Sequence, residues 1–240
     1  MHLLEWPSPN HDARPPGGII DMLILHYTGM TSAEAALARL ASPDAKVSAH
    51  YVVEEDGTIW RLVPEDRRAW HAGLSFWAGR RDINAHSIGI ELVNPGHEWG
   101  YRPFPEPQMA ALEALAQDIT TRHPVRPEFV LGHSDVAPQR KADPGELFDW
   151  VRLAHAGIGL WPDFATAPQA IPPNAAAAQR LLAAIGYEVP QTGALDDATR
   201  AVIFAFQRHF RAARCDGALD RETLARIAIV AAAVKGDEGD

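Results

Sequence analysis

A proline-rich break divides the chain into two parts. The stretch WPDFATAPQAIPPNAAAA, residues 161–178, holds four prolines and no basic residue. Proline fixes φ and lacks a backbone N–H, so neither a long helix nor a central strand runs through such a stretch. This composition is typical of an extended linker. The 240-residue chain is therefore predicted to form two folded units, with the linker at residues 161–173.

The first unit, residues 1–160, alternates strands with helices. The run IIDMLILHYT lacks helical spacing and predicts a buried strand that ends near His26. Thr31 and Glu34 form a capping-box pattern before the helical segment AALARL. SAHYVVEEDGTIWRLV predicts a hairpin at its Asp-Gly pair, and SIGIELVN predicts a further strand. A long helix, PEPQMAALEALAQDITTRH, then precedes FVLGH, a strand ending at His133. This alternation indicates an α/β or α+β layer architecture.

The second unit, residues 174–234, contains an internal repeat. TGALDDATRAVI, from Thr192, matches DGALDRETLARI, from Asp216, in its glycine, aspartate and threonine positions. Each copy predicts a turn that leads into an amphipathic helix capped by aspartate. The unit is therefore expected to be small and helical. The acidic tail, residues 235–240, is expected to be disordered.

Composition excludes several classes of function. The net charge of -9 disfavours contact with nucleic acid or anionic lipid. The single cysteine, Cys215, rules out an intramolecular disulfide. No run approaches the roughly 20 apolar residues of a membrane span, and no signal peptide is visible. We therefore expect a globular protein, monomeric by default, that is cytoplasmic as written, or periplasmic or in the cell envelope if a leader was removed.

Two histidines and an aspartate are candidate metal ligands. His26 and His133 end predicted strands, and Asp143 lies in the loop LGHSDVAPQRKADPG. Two imidazoles and one carboxylate suit catalytic zinc, which keeps a fourth position for water. Their spacing is a weak signal, because the three residues are far apart in sequence. A single histidine is, moreover, more often structural or exposed than a metal ligand.

Glu91 and Lys141 are candidates for catalysis. Glu91 lies between two apolar residues of a predicted strand, where it either faces solvent or acts as a general base beside a metal. Lys141 lies two residues before Asp143, where it is either a solvated lysine or a donor to a developing oxyanion. The residues alone leave both alternatives open.

Five sequence blocks resemble one enzyme family. They are HYTG, SAHYVVEEDGTIWRLV, AWHAG, RDINAHSIGIELVN and GHSDVAPQRKADPG, and they occur in this order within residues 23–153. Together they resemble the zinc-dependent N-acetylmuramoyl-L-alanine amidases of the type 2 amidase, or peptidoglycan-recognition, fold. The resemblance implies an α/β fold with a mixed central sheet flanked by helices. The second unit resembles the three-helix peptidoglycan-binding domain.

The resemblance also implies roles for individual residues. It implies a Zn²⁺ ion on His26, His133 and Asp143, with Glu91 as the acid/base and Lys141 as the oxyanion stabiliser. Three further residues of the matched blocks are expected either to bind the substrate or to orient the catalytic groups: His50, His71 and Asn84.

The predicted function is hydrolysis of the amide between N-acetylmuramic, or 1,6-anhydro-N-acetylmuramic, acid and L-alanine in peptidoglycan or muropeptides. One alternative is a recognition protein that binds peptidoglycan without cutting it, although such relatives typically lose a zinc ligand. Another is a zinc peptidase that cuts within the stem peptide. A helix-turn-helix DNA-binding role for the second unit is disfavoured by the net charge of -9.

Overall fold

A six-stranded mixed sheet forms the centre of the first unit. The computed structural model describes residues 3–166 and 172–236. The strands are β1 (Leu3–Glu5), β2 (His11–Ala13), β3 (Met22–Tyr27), β4 (Tyr51–Val53), β5 (Ile59–Arg61), β6 (Arg67–Ala69), β7 (Ser87–Leu92) and β8 (Val130–Gly132). The main sheet has the order β1-β5-β4-β7-β3-β8, and β2 pairs with β6 separately. Only β4 and β5 are antiparallel within the main sheet, as the predicted hairpin requires.

The helices lie around this sheet and in the second unit. They are α1 (Ala33–Ala41), α2 (Ile83–His86), α3 (Gly96–Trp99), α4 (Glu106–Arg122), α5 (His133–Val136), α6 (Trp150–His155), α7 (Ala175–Ile185), α8 (Asp197–Phe210) and α9 (Arg221–Gly236), with 3₁₀ turns at Pro127–Phe129 and Phe164–Thr166. The predicted start of α1 is off by one residue. Ser32, not Thr31, caps this helix, because its side chain accepts a hydrogen bond from the Ala35 N–H.

The two faces of β3 pack against different parts of the chain. Leu23 and Leu25 belong to the core beneath α4. Met22 and Ile24 belong to the core on the other face, which the second unit covers. Side chains alternate along a strand, so His26 lies on the second face with Met22 and Ile24. The helical unit therefore packs on the same face of the sheet that carries His26.

Buried glutamines organise the repeated turns of the helical unit. The Gln179 amide donates to the Ala194 carbonyl and accepts from the Gly193 N–H, 14 residues away. In the second copy, Gln207 donates to the Ala218 carbonyl and accepts from the N–H of Gly217, 10 residues away. The unequal spacing explains why the sequence repeat includes the turns but not the glutamines. As predicted, aspartates cap α8 and α9, through Asp196 and Asp220.

The start of the expected linker is packed. Trp161 stacks on Phe210 with ring centroids 5.9 Å apart, and Phe164 also packs against this core. Aromatic burial thus holds residues 161–166 against the helical unit, rather than leaving them extended. Residues 167–171 of the predicted linker and 237–240 of the predicted tail lie outside the described residues, whereas 235–236 complete α9.

The predicted class, a mixed α/β sheet with flanking helices and a helical second unit, is confirmed. The exact domain boundaries stay a prediction. Within residues 3–166 and 172–236, no helix combines the length and apolar character needed to cross a membrane.

Candidate active site

Three adjacent parallel strands bring the candidate residues together. β3 lies between β7 and β8, and His26 pairs in register with Glu91. Leu25 pairs with Gly132, so His133, the next residue, lies beside His26. Register partners in a parallel sheet project from the same face. The strand order therefore places these three side chains at one edge, as the predicted strand-end positions of the two histidines indicated.

His26, His133 and Asp143 meet at a single point. The Nδ1 atoms of the two histidines are 3.0 Å apart, and each is 3.0 Å from Asp143 Oδ2. All three residues are buried. Ligand atoms about 2.1 Å from a tetrahedral zinc ion would lie roughly 3.4 Å apart, so small outward movements would admit the ion. The geometry fits a three-ligand metal site.

The hydrogen bonds assign the tautomer of His133. Its Nε2 lies 3.0 Å from the carbonyl oxygen of Ala72, which can only accept. Nε2 therefore carries the proton, and in the neutral ring Nδ1 keeps its lone pair. That lone pair points at Asp143 and His26.

A longer chain of hydrogen bonds assigns His26. The Ser87 hydroxyl donates to the Ile83 carbonyl at 2.7 Å, so it accepts from His71 Nε2. His71 Nδ1 is then an acceptor, and His26 Nε2, 3.1 Å away, donates a hydrogen bond to it. His26 Nδ1 is thereby left unprotonated. Three electron-pair donors thus converge without a proton between them, which is the arrangement that a cation stabilises.

Burial favours the neutral forms of His26 and His71. It lowers the pKa of His26 to about 4, with a further contribution from the neighbouring His133. It also lowers the pKa of His71 well below its usual value. Neutral imidazoles and an ionised carboxylate are the forms that bind a metal.

Glu91 and Lys141 line a cavity of about 400 Å³ beside this cluster. The Glu91 Oε2 atom is enclosed and has no hydrogen-bond partner among the described residues. Burial, and then the Asp143 charge, raise the pKa of Glu91 well above its usual value, although Lys141 opposes this. An unpaired carboxyl with a raised pKa at a cavity wall is typical of a general acid/base.

The three predicted substrate contacts have different surroundings. His50 is fully buried, accepts from the Gly89 N–H through Nδ1 and contacts the Arg67 carbonyl through Nε2. His50 is not among the residues that line the catalytic cavity, so its substrate-binding role stays a prediction. Burial and the nearby Arg14 lower the pKa of His50 to about 3.

His71 and Asn84 fit the orienting role that the sequence also allowed. His71 lines the cavity, but both of its ring nitrogens are already hydrogen-bonded, Nδ1 to His26 and Nε2 to Ser87. A Cβ atom at Gly89 would collide with the His71 ring, so this strand position needs glycine. Asn84 Oδ1 accepts from the backbone N–H groups of His71 and Ala72. It thereby fixes the backbone segment whose His71 ring contacts His26 and whose Ala72 carbonyl contacts His133.

Sequence reasoning missed Asp135, a buried carboxylate two residues after His133. Its Oδ1 accepts from the Tyr187 hydroxyl at 2.6 Å, and its Oδ2 from His209 Nδ1 at 2.8 Å. Oδ2 also accepts from the Gly132 N–H at 2.8 Å. An acidic residue three positions after the N-cap residue of a helix, here Gly132, is the one local signal that could have found it. Its partners in the helical unit had no sequence signal.

Comparison with known proteins identifies the family. The profile of the N-acetylmuramoyl-L-alanine amidases matches residues 16–146, more than half of the chain. This chain belongs to that family. The amidase is 43% identical over 225 residues to the N-acetylmuramoyl-L-alanine amidase AmiD of Escherichia coli (strain K12), covering 86% of this chain and 80% of AmiD. The predicted enzyme class, a peptidoglycan amidohydrolase, is confirmed.

Other relatives agree with this assignment. The amidase is 36% identical over 164 residues to the 1,6-anhydro-N-acetylmuramyl-L-alanine amidase AmpD of Enterobacter cloacae, covering 61% of this chain and 86% of AmpD. The solved E. coli AmiD complex with anhydro-N-acetylmuramic acid-L-Ala-D-γ-Glu-L-Lys superposes with a TM-score of 0.80 at 40% identity, covering 91% of this chain and 90% of that one. A peptidoglycan-binding domain profile matches residues 172–227 of the helical unit.

Proposed function

We propose that the amidase binds zinc through His26, His133 and Asp143 and cleaves the bond between the muramic acid lactyl group and L-alanine in muropeptides. The observation that carries the proposal is the convergence of three unprotonated ligand atoms beside the cavity that contains Glu91. Zinc bound there would polarise the amide carbonyl and lower the pKa of a water molecule.

Glu91 is the proposed proton carrier. Its Oε2 atom has no other partner among the described residues, so it is available to take a proton from the attacking water. Because burial raises the pKa of Glu91, its carboxyl binds this proton more tightly than an exposed glutamate would and then passes it to the leaving amine nitrogen. The same residue thus serves first as base and then as acid.

Lys141 is the proposed oxyanion donor. It lines the same cavity as Glu91, and no carboxylate among the described residues pairs with it within 4.0 Å. Its ammonium group can therefore donate to the amide oxygen as negative charge develops there. A positioned donor of this kind stabilises the transition state more than the substrate.

The proposed substrate is an N-acetylmuramic or 1,6-anhydro-N-acetylmuramic acid that carries a stem peptide. The AmiD structure, 40% identical to this chain, holds an anhydromuramyl tripeptide, which supports this choice. The helical unit, which matches a peptidoglycan-binding profile, is proposed to bind the same polymer. A monomeric state stays a prediction, to be checked by sedimentation.

The first test is digestion of purified muropeptides, with and without the 1,6-anhydro end, by the zinc-loaded protein and its Asp143→Ala variant. Mass spectrometry should show free stem peptide and intact sugar only with the unmodified protein. The ratio of the two rates then gives the sugar preference.

Two other outcomes would select the alternatives. Fragments cut within the stem peptide would indicate a peptidase. Retention on peptidoglycan without any cleavage would indicate a recognition protein, and the proposed roles of Glu91 and Lys141 would then be withdrawn.

A further inference from the structure

A second groove adjoins the catalytic cavity at the junction of the two units. It has a volume of about 440 Å³, and its walls come from residues 138–142 of the loop and from α8. Arg140, Lys141 and Ala142 line both the groove and the catalytic cavity. A molecule bound at the catalytic cavity therefore reaches this groove by crossing a single loop segment. We call it the junction groove.

The junction groove is rich in positive charge. Arg140 and Lys141 line it from the loop, and Arg200 and Arg208 line it from α8. This excess is notable in a chain whose net charge is -9. Asp216 is the acidic residue among the groove's lining residues, and its Oδ2 already accepts from Arg214 at 2.7 Å. The local field therefore favours an anion.

These cations lack strong carboxylate partners within the described residues. No carboxylate lies within 4.0 Å of Lys141 or Arg200. The Arg208 Nε atom is buried without a hydrogen bond and lies 3.8 Å from a Glu146 oxygen. Its guanidinium stacks over the Phe204 ring at 4.0 Å, which fixes its orientation. The Nε atom itself is enclosed, so a ligand in the groove would accept from the terminal nitrogens of this partly exposed guanidinium, which make no hydrogen bond within the described residues.

The chemistry of the substrate supplies a fitting anion. In the tripeptide bound to AmiD, the γ-linked glutamate leaves its α-carboxylate free, and the terminal lysine carries a second carboxylate. Extended peptide spans roughly 3.5 Å per residue, so both carboxylates fall within about 10 Å of the L-alanine. Arginine binds carboxylates through paired, charge-assisted hydrogen bonds.

We propose that the junction groove is a subsite for a stem-peptide carboxylate of the substrate, with Arg200 and Arg208 of the helical unit as its donors. This inference rests on the proposed function. It gives the helical unit a direct part in recognising the peptide that is being released. It also means that residues of both units, rather than of the first alone, form the substrate-binding site.

The test compares two substrates with three variants of the full, zinc-loaded chain. One substrate is the muramyl tripeptide with free carboxylates, and the other carries both carboxylates as amides. Arg200→Gln is the main variant, because Arg200 is exposed and its loss should not affect folding. Arg208→Lys keeps the charge but loses the paired geometry. Arg180→Gln is the matched control, an exposed arginine of the same unit that does not line the groove.

We expect Arg200→Gln to raise KM for the free-acid substrate about fivefold to tenfold, with a smaller change in kcat, as for loss of one charge-assisted hydrogen bond. Arg208→Lys should raise KM by less. The amidated substrate should show a raised KM with the unmodified protein and no further increase with Arg200→Gln. Arg180→Gln should match the unmodified protein.

Two results would overturn the subsite. Equal KM values for Arg200→Gln and Arg180→Gln would remove Arg200 from binding. An equal rise in KM for Arg200→Gln on the free and the amidated substrate would show that no carboxylate is involved. Absence of hydrolysis by the unmodified protein on both substrates would instead refute the proposed function itself.

Discussion

Two buried carboxylates lie eight residues apart, Asp135 in α5 and Asp143 in the loop that follows, and their partners differ. Asp135 receives three hydrogen bonds, from Tyr187, His209 and the Gly132 N–H, and each partner has a proton to give. Asp143 faces two imidazole nitrogens whose protons are committed elsewhere. The first site is complete with hydrogen bonds alone. In the proposed function the second is completed by zinc, so burial of an acid does not by itself indicate a metal site.

Removal of the Asp143 carboxylate should have the largest effect. We expect Asp143→Ala to lose bound zinc and at least about a thousandfold in kcat/KM, because a ligand and the electrostatics of the site are lost together. Metal analysis and hydrolysis rates measure both. Asp44→Ala, which removes an exposed carboxylate, is the control. Full zinc content in Asp143→Ala would show that Asp143, like Asp135, is not needed to bind the metal.

The next largest effect should come from Glu91, which lies beside the metal ligands without being one. Glu91→Gln removes the proton carrier but keeps the shape of the side chain. We expect kcat to fall by about 10²-fold to 10⁴-fold, the range for general acid–base catalysis, with zinc content retained. Single-turnover rates and metal analysis on the same preparation check this. Full activity in the variant would show that another group moves the proton.

The effect of zinc on stability should distinguish Asp143 from Asp135. Added zinc at about 100 times its dissociation constant should raise the free energy of unfolding by about 2.7 kcal/mol, because only the folded chain presents all three ligands. Calorimetry after chelation and after reloading measures this. Asp143→Ala should abolish the gain, whereas Tyr187→Phe should keep it at saturating zinc. A gain that survives in Asp143→Ala would place the ion elsewhere.

The smallest effect should come from the hydrogen bonds that Asp135 accepts from the helical unit. Tyr187→Phe removes one donor to a buried carboxylate and should cost about 1.5–2 kcal/mol of unfolding free energy. It should also weaken zinc binding in chelator competition, because Asp135 holds Gly132 and the adjoining His133 in place. Glu188→Gln, which removes the exposed bridge to Arg81, is a control expected to cost less than about 1 kcal/mol. Equal zinc affinity in both variants would limit Tyr187 to a packing role.

Local sequence pattern predicted much of both units. The apolar runs of β3 and β7, the hairpin between β4 and β5, and the aspartate caps of α8 and α9 all formed as expected. These features depend on neighbouring residues, and the apolar pattern of a strand is visible in one short window. The shift from Thr31 to Ser32 at α1 is the usual uncertainty of a helix boundary.

The candidate site was predictable only in part. Residue types and positions made His26, His133, Asp143 and Glu91 candidates, and the resemblance implied their roles. The burial of His50 was not predictable, because it follows from Arg14 and Arg67, which reach its ring from elsewhere in the chain. A histidine in a matched block shows which segment matters, not which way its ring faces.

The sequence by itself determined that this chain has two units, an alternation of strands and helices with two histidines at strand ends, and a helical repeat. It did so because strands, helices and turns follow from short-range apolar spacing and from proline and glycine positions. Only the tertiary structure decided which nitrogen of each histidine faces the metal site and that Tyr187 and His209 reach Asp135. Proton positions and domain contacts depend on partners that are distant in sequence, and packing of the whole chain brings those partners together.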